Sequence, residues 1–147
     1  MKLYKALKLK NKLVGEINKL QSLISSKNSF IAGSDITYNV ENLLTEWNSK
    51  KNKLISLKLA INEANNGIQE NIYKLSEIKS SISLYNSLTT IKGKHYDGYS
   101  RDTVLEYDCQ ISEIEKENRI KNLEKQLEEI QESIDTYNYT IEIEFEN

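Results

Sequence analysis

Proline is absent from this chain of 147 residues, and cysteine, histidine, tryptophan and methionine occur once each. The absence of proline removes the strongest helix breaker and favours long helices. The single cysteine, Cys109, cannot form an intramolecular disulfide, and a chain of this length can bury a core without one. One histidine and one cysteine also cannot supply the four N or S ligands of a structural zinc site. The sequence therefore predicts neither a metal nor a cofactor.

Long apolar runs are missing as well. No segment approaches the roughly 18 apolar residues that a membrane span requires. The lysine-rich segment 1–20 lacks the apolar stretch of a signal peptide. Because a chain with one cysteine also suits a reducing compartment, we predict a soluble, cytoplasmic protein without a membrane span.

The net charge of −2 conceals an asymmetry along the chain. Residues 1–30 include seven lysines and one acidic residue, Glu16, whereas residues 91–147 include seven basic and fifteen acidic residues. Opposite charges attract, so we expect the basic first helix to lie near the acidic last helix, within one subunit or between two.

Apolar residues recur three and four positions apart in four segments, which is the spacing of one face of a helix. The segments cover residues 2–28, 39–65, 68–88 and 112–137. In the last of them the intervals alternate regularly between three and four, the heptad pattern of helices that pack along a seam. This heptad stripe consists of Ile120, Leu123, Leu127, Ile130, Ile134, Tyr137 and Ile141. It predicts an interaction surface, with Leu127 and Ile130 as core residues.

Several residues mark where these helices begin and end. Asn39 is a candidate N-cap for the second helix, and Ser112 with Glu115 has the spacing of a capping box for the fourth. The Asn-Asn-Gly junction at 65–67 is short, so the third helix must double back on the second. The sequence therefore predicts a single domain over 1–147, mainly α, with four long antiparallel helices in a bundle.

Three segments alternate apolar and polar residues, which is the pattern of strands. They cover residues 36–40, 105–111 and 139–145. In the predicted bundle the first two emerge at the same end and could pair there. The C-terminal segment leaves from the other end, so as a strand it either folds back or pairs with another chain. The alternative is that this segment continues the fourth helix. These linker and C-terminal strands would form a minor β component.

Four short motifs resemble a known family. They are Met1-Lys2-Leu3, Ile61-Asn62-Glu63-Ala64-Asn65, Tyr99-Ser100-Arg101, and the run from Ile130-Gln131 to Asn138-Tyr139-Thr140. In order and spacing they resemble the bacterial proteins often labelled septicolysin, over nearly the whole chain. That family usually has Trp at the position of Tyr139, and an acidic hairpin that contains proline at residues 34–40. The resemblance implies a small, mostly helical bacterial protein without an established activity.

The linker between the third and fourth helices is the best candidate for a ligand site, because polar loops on helical scaffolds often carry sites. Within its 93–102 segment, Tyr99, Ser100 and Arg101 are the candidate ligand-contact residues. A guanidinium binds carboxylate or phosphate with two hydrogen bonds. An arginine beside Asp97 and Asp102 more often forms a structural ion pair, so we expect Arg101 to tie the linker to a nearby carboxylate and the Tyr99 ring to pack on the helices. Ser100 lacks the glycine pattern of a nucleophile elbow, so we predict no catalytic residue.

The sequence thus favours a structural or interaction protein that self-associates, most simply as a homodimer, and that is not an enzyme. One alternative is a small-ligand-binding or enzymatic protein with its site at the 93–102 loop. Another is a nucleic-acid binder that uses the basic N-terminal helix. The second alternative is weakened because that helix has no arginine and only Tyr4 to stack on bases.

Overall fold

A computed structural model of the protein describes residues 1–145, apart from the side chains of Asp97, Ser100 and Arg101. Four helices hold most of the chain, and one antiparallel pair of strands separates the last two helices. The elements are α1 (Leu3–Lys27), α2 (Val40–Asn65), α3 (Gln69–Ser87), β1 (Gly93–Asp97), β2 (Ser100–Tyr107) and α4 (Glu113–Thr140). The prediction of a mainly helical protein with a minor β component is confirmed.

The two predicted helix starts have the expected hydrogen bonds. The Asn39 side-chain oxygen accepts a hydrogen bond from the backbone N–H of Asn42 at 3.0 Å, as an N-cap does. At the start of α4, the Ser112 N–H donates to Glu115 and the Glu115 N–H donates to Ser112 Oγ, both at 3.2 Å. Both caps bind backbone amides that have no partner within their helix.

The chain divides into two compact units. The first unit contains Met1–Ile68 and Asp135–Asn147, and the second contains Gln69–Ile134. The prediction that the whole chain behaves as a single domain stays a prediction.

The first unit has a hydrophobic core between α1, α2 and the chain end that follows α4. Leu3 and Leu57 are fully buried in it. The buried members of this core are Leu3, Ala6, Leu13, Leu57, Ile61 and Ile143. The side chain of Glu16 on α1 also accepts a hydrogen bond from Lys50 Nζ on α2 at 2.9 Å. This hydrogen bond lowers the pKa of Glu16 and raises the pKa of Lys50.

The tail, residues 141–145, corrects one of the predicted strands. The fourth helix continues to Thr140, so the segment 139–145 is not a strand as a whole. Beyond the helix the tail is extended and folds back on the N-terminus of its own chain: Leu3 N–H donates to the Ile141 carbonyl at 2.9 Å, and Ile143 N–H donates to the Met1 carbonyl at 2.8 Å. A single antiparallel bridge joins Lys2 and Glu142. The helix-continuation alternative therefore holds for residues 139 and 140, and folding back holds for the residues that follow.

A tyrosine of the first unit contacts the end of α2. The hydroxyl of Tyr137 donates a hydrogen bond to the Ala64 carbonyl in the last turn of α2, at 2.8 Å. The same hydroxyl lies so close to Gly67 that a Cβ atom at that position would overlap it. A larger residue at position 67 would therefore force the Tyr137 side chain to shift away from the Ala64 carbonyl.

The other two predicted strands are also revised. Residues 36–39 form no strand, because the Asn39 cap places Val40 in α2. The segment 105–111 contributes its first three residues to β2, whose partner is β1. The two strands are joined by a turn of only two residues, Gly98 and Tyr99, so pairing within this hairpin needs no long loop to close.

Candidate interaction surface

The predicted ligand-contact residues lie at the turn of the β1–β2 hairpin. Tyr99 is fully exposed there, so its ring does not pack on the helices as we expected. The side chains of Ser100 and Arg101 lie outside the described part of the chain, and the ligand-contact role of all three residues stays a prediction. Nearby, the ring of His95 meets Tyr107 edge to face, with centroids 5.9 Å apart.

The basic N-terminus meets acidic partners in the first unit. Lys2 Nζ lies 3.1 Å from the Glu142 carboxylate, and the hydrogen bond from Lys2 lowers the pKa of Glu142. The Lys8 ammonium lies 5.6 Å from the centre of the Tyr4 ring. One ion pair therefore joins a basic residue near the N-terminus to an acidic residue that follows α4. The expectation that the basic first helix lies near the acidic last helix stays a prediction.

Two general features bear on the kind of site. Among residues 1–145, no helix is long and apolar enough to cross a membrane. No three His, Cys, Asp or Glu side chains in the described part of the chain come together in a way that could hold a metal ion.

In the second unit, α3 and α4 are connected by side-chain contacts at several levels. Asn71 Nδ2 donates a hydrogen bond to Ser133 Oγ at 3.1 Å, near the start of α3 and the end of α4. At the other end, Arg119 donates to the Tyr85 hydroxyl at 3.3 Å. One turn beyond, the Lys116 ammonium donates to the Leu88 carbonyl at 3.2 Å. From one of these hydrogen bonds to the next, the residue number on the α3 side rises by as much as the residue number on α4 falls.

Despite these contacts, the described residues of the second unit bury few hydrophobic side chains. Its one buried hydrophobic side chain in the described structure is Ile134, with 8% exposure, and α3 has no buried residue. The apolar stripes of both helices are half-buried. The partly exposed members are Ile72, Leu75, Ile78 and Ile82 on α3 and Ile120, Leu123, Leu127 and Ile130 on α4. The prediction that Leu127 and Ile130 are fully packed core residues is not met within one chain.

An open groove of about 450 Å³ lies along this helix pair. Its lining combines two isoleucines, Ile78 and Ile130, with a serine and longer polar side chains from both helices. The Ser81 hydroxyl in this lining donates a hydrogen bond to the Glu77 carbonyl of its own helix at 2.9 Å.

No protein-family model, curated protein or solved structure matches the chain. The resemblance to the septicolysin family stays a prediction. The half-buried stripe of α4 coincides with the heptad residues Ile120, Leu123, Leu127 and Ile130, and the interaction surface that the heptad pattern predicts stays a prediction. The spacing could not tell whether one chain or two would cover them, because the same pattern serves both cases.

Proposed function

We propose that the protein is a structural or interaction protein that self-associates through the α3/α4 pair, and that it has no catalytic role. In this proposal α3 and α4 are antiparallel, and a second copy covers their apolar stripes to complete a four-helix bundle. The single observation that carries the proposal is the burial of only one hydrophobic side chain, Ile134, in the described second unit.

Elementary energetics supports this assignment. An amphipathic helix gains its stability in water mainly by burying its apolar face, and two helices alone cover little of that face. The first unit satisfies this requirement within one chain, because Leu3 and Leu57 are fully buried. On α3 and α4 the second unit presents eight apolar side chains at helical spacing that its described residues leave half-buried. A partner surface with the same spacing would supply the missing layer.

The molecular mass in solution tests the proposal. We expect light scattering and sedimentation at micromolar concentration to give twice the chain mass of 17.0 kDa. Leu127→Glu should shift the protein towards the monomer, because it puts a charge into the proposed seam. Leu59→Glu is the matched control, since Leu59 is 62% exposed on α2 and outside the seam. Circular dichroism would check that both variants keep their helices.

Two results would contradict the proposal. One is a monomeric wild-type protein at every concentration up to hundreds of micromolar. The other is a dimer that Leu127→Glu leaves intact while Leu59→Glu dissociates it, because this would move the interface to the first unit.

A further inference from the structure

We propose that the second copy docks about a two-fold axis that runs parallel to α3 and α4, so that Lys79 of each copy faces Glu124 of the other. This inference rests on the proposed self-association and specifies its geometry. It names the interaction surface, the partner and the charged pair that selects the orientation.

The first step is the assignment of rows on the two helices. Residues seven apart lie on one row of a helix in a bundle. The observed contacts between α3 and α4 use Asn71 and Tyr85 on α3, which are two heptads apart, and Arg119 and Ser133 on α4, which are also two heptads apart. These contact rows define the side of each helix that faces its neighbour within the chain.

The second step finds the rows on the opposite flank of the apolar stripes. In a four-helix bundle each helix contacts one neighbour on each flank of its apolar face. The flank of α3 remote from α4 carries Ile72, Lys79 and Asn86, and the flank of α4 remote from α3 carries Glu117, Glu124 and Gln131. We call these the outer rows. They are the surfaces available to a second copy.

The third step is charge. Lys79 and Glu124 are both exposed, and neither makes an ion pair within the described part of the chain. The outer row of α4 contains two glutamates and no basic residue, whereas the charged residue of the α3 outer row is a lysine. Pairing the outer row of α3 with that of α4 therefore brings opposite charges together. Pairing two α4 outer rows would bring glutamates together, which is unfavourable.

The fourth step is register. A two-fold axis parallel to the helices keeps each residue at its own height, so the register within one chain also applies between copies. The pairs Asn71 with Ser133 and Tyr85 with Arg119 set that register. It places Lys79 at the height of residue 125, one residue from Glu124. One residue is about 1.5 Å along a helix, well within the reach of a lysine side chain.

Reciprocal charge reversal tests this geometry. Lys79→Glu and Glu124→Lys should each weaken the homodimer, because each puts two like-charged pairs into a two-fold interface. Loss of one attractive surface pair raises the dissociation constant about twofold, and the repulsion that replaces it raises the constant about twofold more. Because the two-fold axis repeats the pair, we expect the dissociation constant to rise roughly tenfold for each variant. An equimolar mixture of the two variants restores opposite charges at both positions. It should form heterodimers with a dissociation constant within about threefold of the wild type.

Sedimentation measures the dissociation constants, and native mass spectrometry with one variant labelled with ¹⁵N measures the heterodimer fraction. Lys125→Glu is the matched control, because it makes the same charge change at the neighbouring exposed position on the far side of α4. It should leave the dissociation constant within about threefold and show no preference for Glu124→Lys in a mixture.

The outcomes separate the two proposals. A monomeric wild type overturns self-association and this geometry together. Three results for a wild type that is a dimer would together retain self-association but overturn the geometry. Lys79→Glu would have no effect, Glu124→Lys would dimerise as well as the wild type or better, and the mixture would show no heterodimer preference. These results would mean that α4 faces α4.

Discussion

The tail offers the sharpest test of the structure, through the substitution Ile143→Ala. Ile143 is 6% exposed and packs with Leu3, Leu57 and Ile61 in the core of the first unit. The substitution removes three carbon atoms, worth about 2.4 kcal/mol at about 0.8 kcal/mol for each buried CH₂. A cavity that the neighbours fail to fill adds to this loss, so we expect the free energy of unfolding to fall by about 2–5 kcal/mol.

Urea denaturation followed by circular dichroism measures this loss, and Glu144→Ala is the control. Glu144 is the next residue and is exposed, so its removal should change the free energy of unfolding by less than about 0.5 kcal/mol. The loss caused by Ile143→Ala should be the same at low and high protein concentration, because the tail is covered by its own chain. A loss below about 1 kcal/mol, or one that depends on concentration, would refute the intramolecular packing of the tail.

Two further predictions concern single sites in the first unit. Gly67→Ala should lower the free energy of unfolding by about 1–3 kcal/mol, because the added methyl overlaps the Tyr137 hydroxyl. Gly15→Ala, at an open helical position, should instead raise the free energy of unfolding by about 0.5–1 kcal/mol. Equal effects of the two substitutions in thermal melts would contradict this reasoning. The hydrogen bond from Lys2 lowers the pKa of Glu142 in the folded state below 4.5, the ordinary value of a glutamate. The ion pair therefore stabilises the fold above pH 4.5 and loses this effect as the pH falls through the lowered pKa. Glu142→Gln should make the melting temperature less sensitive to pH below 4.5, and an unchanged acid profile would argue against the pair.

The sequence was most informative where a local rule decides the structure. Asn39 and Ser112 begin helices because each caps amides within three residues of itself. These features depend on neighbours in the sequence, and propensity and spacing suffice to find them.

The strands depended on contacts that no local pattern reveals. In the tail, Ile141, Ile143 and Phe145 do alternate with exposed glutamates, as the period of two predicted. The partner is the N-terminal segment at the other end of the sequence, and only one bridge forms. Residues 36–39 show the same alternation, yet all four are exposed and form no strand. Alternation therefore predicted the extended, alternately buried tail but not its pairing.

The heptad stripe shows why the candidate surface needed the structure. Its C-terminal residues Tyr137 and Ile141 pack against the core of the first unit, whereas Leu123 and Leu127 stay half-buried in the second. One uninterrupted pattern thus serves two different environments. Polar substitutions at Tyr137 or Ile141 should lower the melting temperature at any protein concentration, because their cover comes from the same chain. Polar substitutions at Leu123 or Leu127 should act mainly on the dimer dissociation constant, because their proposed cover comes from a second copy. Thermal melts and sedimentation of both sets of variants would locate the position along the stripe where its side chains stop packing on their own chain and begin to pack on a second copy. Identical behaviour of both sets would contradict that division.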